Sequence, residues 1–211
     1  MHIIGGSIPE FGDDGSVYNT CLVYSPTGLC IARHRKVHLF DIDVPGGITF
    51  KESDTLTPGN QLITTFPHPT LGTVGVGICY DIRFPELFLL HALRKTDVFV
   101  LPGAFNLTTG PKHWELLLRA RAVDMQGWVI AASPARATKE MIKENENGEY
   151  PTYEAWGHSM AVDPWGGVMV EAGVGEEGVG VEVELERGRK FREAIPTGRQ
   201  KRTDLYKIEE V

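Results

Sequence analysis

Runs of apolar residues, some alternating with polar ones and some continuous, divide the chain into short strands and two helices. Ile3–Ile8 reads as a strand, and Ser16–Tyr24 alternates apolar and polar positions as a second. Ser25-Pro26-Thr27-Gly28 supplies Pro and Gly where a tight turn wants them, and Leu29–Arg33 returns, which predicts a hairpin. Val37–Thr57 has mixed polarity around Pro45-Gly46-Gly47 and reads as a long surface loop of the kind that carries function. Thr73–Ile78 is β-branched with interspersed Gly, the signature of a buried strand under close backbone approach. Pro85–Arg94 follows as a helix with Pro in its first turn and Leu87, Leu90 and Leu93 among its apolar positions. Asp97–Leu101 is a short strand. Lys112–Gln126 is a second helix, with Leu116, Leu117, Ala120 and Val123 expected on its apolar face.

Toward the C-terminus, Trp128–Ser133 reads as another buried strand, and the polar stretch 137–152 as an exposed insertion. Trp156–Val162 and Val168–Glu171, joined through Asp163-Pro164-Trp165-Gly166-Gly167, predict a second hairpin. Val179–Leu185 alternates apolar and acidic residues as a half-exposed strand. The basic tail Arg199-Gln200-Lys201-Arg202 reads as a solvated face. Strands alternating with helices in the middle and flanked by hairpins indicate an α/β layered fold, with neither an internal repeat nor a second domain in the 211 residues.

Composition narrows the function classes. A net charge of −7 offers no electrostatic footprint for nucleic acid and suits a binder of small polar molecules. No apolar stretch is long enough for a membrane span. Cys21, Cys30 and Cys79 are too few for a disulfide framework and contain no C-x-x-C pair for zinc, so they read as reduced thiols of a cytosolic or organellar protein.

Three residues stand out chemically. Cys79 lies where a buried strand gives way to a turn and helix, the place where open α/β sheets hold reacting groups and where a helix N-terminus favours a thiolate. A lone cysteine after an apolar strand is more often a core residue. The polar neighbours Tyr80, Asp81 and Arg83 argue against that here. Lys36, in His34-Arg35-Lys36-Val37-His38, reads either as a solvated basic turn or as an ammonium aimed at a developing oxyanion. Glu115, early in the second helix beside Trp114, reads either as a dipole partner or as a carboxylate in a partly desolvated site.

These residues sit in segments that resemble a known family. Gly77-Ile78-Cys79-Tyr80-Asp81-Ile82-Arg83-Phe84-Pro85-Glu86 looks like the nucleophile motif of the nitrilase superfamily, and His34-Arg35-Lys36-Val37-His38-Leu39-Phe40 like its lysine motif. Gly110-Pro111-Lys112-His113-Trp114-Glu115 resembles its second-glutamate segment. Trp156-Gly157-His158-Ser159 with Asp163-Pro164-Trp165-Gly166 resembles its C-terminal hairpin. Pro102–Gly110 and Asp41-Ile42-Asp43-Val44-Pro45 are similar to the ω-amidase branch. Tyr80-Asp81 replaces the Trp-Glu typical of true nitrilases.

The resemblance implies a four-layer α-β-β-α sandwich forming a single carbon–nitrogen hydrolase domain over residues 1–211, and a cysteine amidohydrolase that attacks the terminal amide of α-keto acid amides through a thioester. Cys79 would be the nucleophile, Lys36 the oxyanion stabiliser together with the backbone N–H of Tyr80, and Glu115 the second glutamate. Arg83 would clamp the substrate carboxylate, while Phe105 and Thr109 would wall the acyl portion. The implied substrate is a small carboxylated amide, with no metal or organic cofactor. A homodimer in the cytoplasm, or the mitochondrion, is the further expectation.

In one respect the chain departs from the family pattern. The family's general-base glutamate belongs upstream of residue 1, because Ile4-Gly5-Gly6-Ser7-Ile8-Pro9-Glu10 already resembles the third strand, and Glu10 is part of that strand. The expectation is therefore a sandwich lacking its first strands and helices and a chain that turns over ω-amides negligibly. An amidase of the type acting on deaminated glutathione, and a non-catalytic nitrilase-like subunit, remain alternatives. An activated Cys79 should alkylate ahead of Cys21 and Cys30.

Overall fold

A computed structural model describes residues 1–43, 49–138, 141–142 and 153–211. Strands β1 (Ile3–Phe11), β2 (Val17–Tyr24) and β3 (Cys30–Arg35) form an antiparallel meander. Two short strands, β4 (Asp41–Asp43) and β5 (Thr49–Lys51), pair antiparallel and lead into a 3₁₀ turn at Glu52–Asp54. A six-stranded sheet follows, in the order β11-β10-β9-β8-β7-β6. Its members are β6 (Thr64–His68), β7 (Gly72–Val76), β8 (Val98–Pro102), β9 (Trp128–Ala132), β10 (Met160–Val162) and β11 (Val168–Glu171). Strands β7, β8 and β9 run parallel, and parallel neighbours need crossovers. Helices α1 (Pro85–Leu93) and α2 (Gly110–Met125) provide them. Helix α3 (Leu185–Ala194) closes the described chain's regular structure.

The alternation of strand side chains sorts the core into two layers. On one face of the six-stranded sheet Val74, Val76, Val98 and Trp128 meet Cys21 and Val23 of β2, which joins the two sheets. On the other face Phe99, Leu101, Val129 and Val162 pack under Leu87 and Phe88 of α1 and Trp114, Leu118, Ala122 and Met125 of α2. The layers are thus helix, sheet and sheet, and among the described residues no helix covers the outer face of β1–β3.

Several expectations shift. The buried face of α2 is Trp114, Leu118, Arg121, Ala122 and Met125, whereas Leu116 and Val123 are exposed. The true stripe includes an arginine, whose Nε donates to the Ile82 carbonyl at 2.8 Å, so apolarity alone misplaced it. The loop expected at Val37–Thr57 contains the β4–β5 pair, and its residues 44–48 lie outside the described residues, as does most of the insertion expected at 137–152. Strand β6 gave no clear signal because Pro67 interrupts it. The structure places it at the sheet edge, where a missing N–H is tolerated. Val179–Leu185 is not a strand. Val181, Val183 and Leu185 do pack on the inter-sheet core while Glu182 and Glu184 stay exposed, so the alternation is real, but the segment joins no ladder among the described residues. Leu185 instead opens α3, whose one buried large side chain, Phe191, lies against Trp165 and left little periodic signal.

His91 of α1 is fully buried, with Nδ1 at 3.0 Å from the Thr96 hydroxyl and Nε2 without a partner among the described residues. Gly75 of β7 makes room for it, since a Cβ there would lie 2.7 Å from the ring. Burial, aided by His34 and Arg94, pushes its pKa down to about 3. The unfolded chain takes up this proton near pH 6.5 and the folded chain only near 3, so the contribution is complete above pH 6.5 and is lost as pH falls. Urea unfolding at pH 7.5, 6 and 5 should show stability declining by up to about 1.4 kcal/mol per unit from this group. His91→Gln should flatten that slope, and equal slopes in both proteins would refute the assignment.

Candidate active site

The nucleophile candidate stands on a strained corner. Beyond β7 the chain passes Gly77 and Ile78 and turns at Cys79, which opens a 3₁₀ turn over Cys79–Arg83 with φ of 46°, in the left-handed region that side chains with a Cβ disfavour. Asp81 holds the corner from below: its Oδ2 accepts from the Ile78 N–H at 2.8 Å, and its own N–H donates to the Ile78 carbonyl at 3.0 Å. Gly103, after β8, presses from the side. A Cβ there would sit 3.0 Å from the Cys79 Cα.

Asp81 also ties this corner to the segment that carries Lys36. It is fully buried, and its two oxygens accept from His34 Nε2 at 3.2 Å, His38 Nδ1 at 2.8 Å and the His38 N–H at 3.1 Å. A carboxylate only accepts, so the His34 proton sits on Nε2, and in the neutral ring Nδ1 is left to accept the Thr64 hydroxyl at 3.0 Å. Burial alone pushes the Asp81 carboxyl up. The bonds from His34 and His38 outweigh it and hold the group well below the usual carboxylate range.

Lys36 lies between the two histidines and is buried. Its N–H donates to the Asn19 carbonyl of β2 at 2.8 Å and its carbonyl accepts from Gly59, also at 2.8 Å, which leaves the side chain directed into the protein. The ammonium pairs with Glu52, whose Oε2 also accepts the Phe40 N–H at 2.7 Å. Lys36, Glu52 and Cys79 open onto one cleft of about 840 Å³, with Tyr80, Arg83 and Phe105 on its walls. The Cys79 Sγ lies 3.7 Å from the Ala104 carbonyl, to which the Tyr153 hydroxyl donates at 2.9 Å. Burial raises the thiol's pKa, Lys36 lowers it, and Glu52 and Asp81 raise it, for a net upward shift.

Most of the sequence-derived site assembles here. Cys79, Lys36, Tyr80, Arg83 and Phe105 share the cleft. Glu115 does not: it is more than half exposed on α2 and pairs with Arg119 one turn on at 3.2 Å. The carboxylate beside Lys36 is Glu52 instead. It was overlooked because it lies at the end of the loop expected over 37–57, in Lys51-Glu52-Ser53-Asp54, with no apolar flank to mark it as buried. Thr109 is also outside the cleft wall. Its N–H and hydroxyl both donate to Asn106 Oδ1, at 2.9 and 3.0 Å, and so shape the turn that starts α2.

Residues 1–193 match the family described as carbon-nitrogen hydrolase, and the chain belongs to it. Among curated relatives, omega-amidase NIT2 of Bos taurus and of Homo sapiens are each 52% identical over 209 residues, covering 99% of this chain and 71% of theirs. Among solved structures, Nit3 of Saccharomyces cerevisiae, described as a member of branch 10 of the nitrilase superfamily, superposes with a TM-score of 0.80 at 42% identity. The C. elegans NitFhit protein does so at 0.84 and 34%. The chain spans 66% and 48% of those two chains. The match to nitrilase-superfamily structures at these scores agrees with the α/β sandwich expected from the sequence. Among the described residues no group of ligands could hold a metal ion, and no helix is long and apolar enough to cross a membrane.

Two outcomes follow from the electrostatics. With iodoacetamide at pH 7.5, exposed Cys30 should alkylate before Cys79, in contrast to the order anticipated from sequence, and Cys21, buried and pushed up to about 12, should alkylate last. Lys36→Met should slow Cys79 further, because the ammonium is the group that most lowers its pKa. Asp81→Asn, which removes the buried anion between two histidines, should cost about 3 kcal/mol in urea unfolding. An unchanged midpoint would show that the network is dispensable.

Proposed function

We propose that this protein is a cysteine amidohydrolase of the ω-amidase type, acting on the terminal amide of a small α-keto acid such as α-ketoglutaramate or α-ketosuccinamate. The observation that carries the reading is the convergence, in one cleft, of a thiol on a strained corner, a buried lysine beside it, and an arginine with no carboxylate partner among the described residues. The names of the curated relatives support the same substrate class.

Cys79 attacks the amide carbon and forms the C–S bond, and the thiol proton passes to the amide nitrogen as the C–N bond breaks. The Lys36 ammonium, held by Glu52, and the backbone N–H of Tyr80 at the start of the 3₁₀ turn meet the negative charge on the carbonyl oxygen. Ammonia leaves, and water releases the acid from the thioester. A thiol raised by burial keeps the nucleophile protonated until substrate arrives. Glu52 is the carboxylate that lines the cleft among the described residues, and its role is to fix the ammonium within reach of the oxyanion. Arg83, four residues beyond the nucleophile, receives the far carboxylate of the substrate as a bidentate pair, with Phe105 packed against the acyl chain. Side chains of the protein itself carry this chemistry, with no metal or organic cofactor. The reading extends to a cytoplasmic or mitochondrial homodimer with no nucleic-acid partner; exposed Leu116 and Val123 on the outer side of α2 suit such a contact.

Protection of the nucleophile tests the reading independently of turnover rate. α-Ketoglutaramate should slow alkylation of Cys79 and leave Cys30 unaffected, while a simple alkyl amide without a carboxylate should protect weakly. Any ammonia released should disappear in Cys79→Ala. Equal protection by both amides, or ammonia release that survives the substitution, would refute it.

A further inference from the structure

The segment Gly110–Glu115 stands out in the sequence for its glutamate, yet the side chain it sets against the cleft residue Arg83 is His113. The His113 Nδ1 lies 3.2 Å from Nη1 of Arg83. A guanidinium has only donors, so Arg83 donates and His113 accepts through an unprotonated Nδ1. The rest of the guanidinium lies between aromatic rings, with its carbon 4.9 Å from the Phe105 centroid and 5.8 Å from that of Tyr80. Among the described residues no Asp or Glu pairs with it.

The base of α2 that presents His113 is firmly fixed. Trp114, the next residue, is buried, donates its ring N–H to the His158 carbonyl at 2.7 Å, and meets Phe105 edge-on at 5.1 Å. Gly110, at the first position of the helix, lies so close to Trp156 that a Cβ would stand 2.3 Å from its ring. The imidazole therefore acts from a rigid support, which a positioning contact requires.

We infer that His113 is a positioning residue for substrate recognition: it takes one N–H of Arg83 and thereby aims the remaining donors of the fork into the cleft for a carboxylate. The choice of residue has a physical reason. An Asp or Glu in this place would orient the guanidinium equally well but would neutralise it and compete with the incoming anion. A neutral imidazole orients without cancelling the charge. This inference rests on the assignment of Arg83 to the substrate carboxylate, and it adds the element that makes Arg83 competent.

Calorimetry in a Cys79→Ala background, where no turnover is needed, separates the two. The probes are α-ketoglutaramate and its methyl ester, which keeps the amide and keto groups but loses the charge. His113→Ala should weaken α-ketoglutaramate about fivefold, the equivalent of one hydrogen bond, and leave the ester unchanged. His113→Asn, whose Oδ1 can stand near the place of Nδ1, should recover most of the loss. Arg83→Gln should weaken the charged ligand by more than His113→Ala does. If Arg83→Gln has that effect and His113→Ala has none, the inference fails while the role of Arg83 stands. If His113→Ala weakens both ligands alike, or His113→Asn gives no recovery, His113 serves only packing and the inference also fails. If Arg83→Gln leaves α-ketoglutaramate unaffected, the assignment of Arg83 itself is wrong and the inference falls with it.

Discussion

The buried carboxylate of Asp81, held between His34 and His38, is the interaction on which the site depends. It joins two pieces of chain about forty residues apart, the end of β3 with its lysine and the corner after β7 with its cysteine. A buried anion would be expensive to desolvate alone. Here two imidazoles and two backbone N–H groups satisfy it, so breaking the arrangement leaves a charge unpaired in the interior. That penalty holds Lys36 and Cys79 in register across the junction between sheets. It also keeps the Cys79 backbone in a conformation it would otherwise leave.

The influences on the thiol oppose one another, with a net bias toward the neutral sulfur. Burial and the carboxylates of Glu52 and Asp81 favour the neutral sulfur, and Lys36 opposes them. Because Lys36 is already paired with Glu52, its influence on the thiol is partial. A negative charge appearing on a bound carbonyl oxygen would enter the same low-dielectric space and draw on the same ammonium, where electrostatic interactions are worth most. Membership of the carbon–nitrogen hydrolase family fits the proposed pairing of a nucleophilic thiol with a fixed cation. The aromatic rings of Tyr80 and Phe105 flank the Arg83 guanidinium, so the recognition of a second functional group on the ligand that is proposed for it would lie next to the proposed nucleophile, four residues along the same short turn.

The fold serves this site by a division of labour between its two cores. The helix-side core fixes β8, β9 and the start of α2, and so places Gly103, Phe105 and His113. The inter-sheet core fixes β2 and β7, and so places Asn19, Lys36 and the approach to Cys79. The cleft opens where the two meet. His91 lies in the helix-side core with one nitrogen lacking a partner among the described residues, and its fit depends on the bare backbone of Gly75. The same α1 and α2 that bury this core leave Leu93, Leu116 and Val123 outside it.

Local pattern by itself determined the strand-turn-strand beginning, the alternation of strands and helices in the middle, and the C-terminal hairpin, while the segments bearing Lys36 and Cys79 stood out by their resemblance to a family. Each single element is encoded in a short stretch of chain, by period, Pro and Gly placement, or a contiguous run. Which carboxylate accompanies the lysine was decided only by the tertiary structure. Glu115 faces outward because the helix turns its buried stripe through Trp114 and Leu118, and Glu52 faces inward because the short β4–β5 pair carries it to Lys36. The alternation of Val181 and Val183 likewise records burial correctly and says nothing of a hydrogen-bonded neighbour. Periodicity reports which side of an element is dry; what stands opposite that side depends on contacts between residues far apart in the chain.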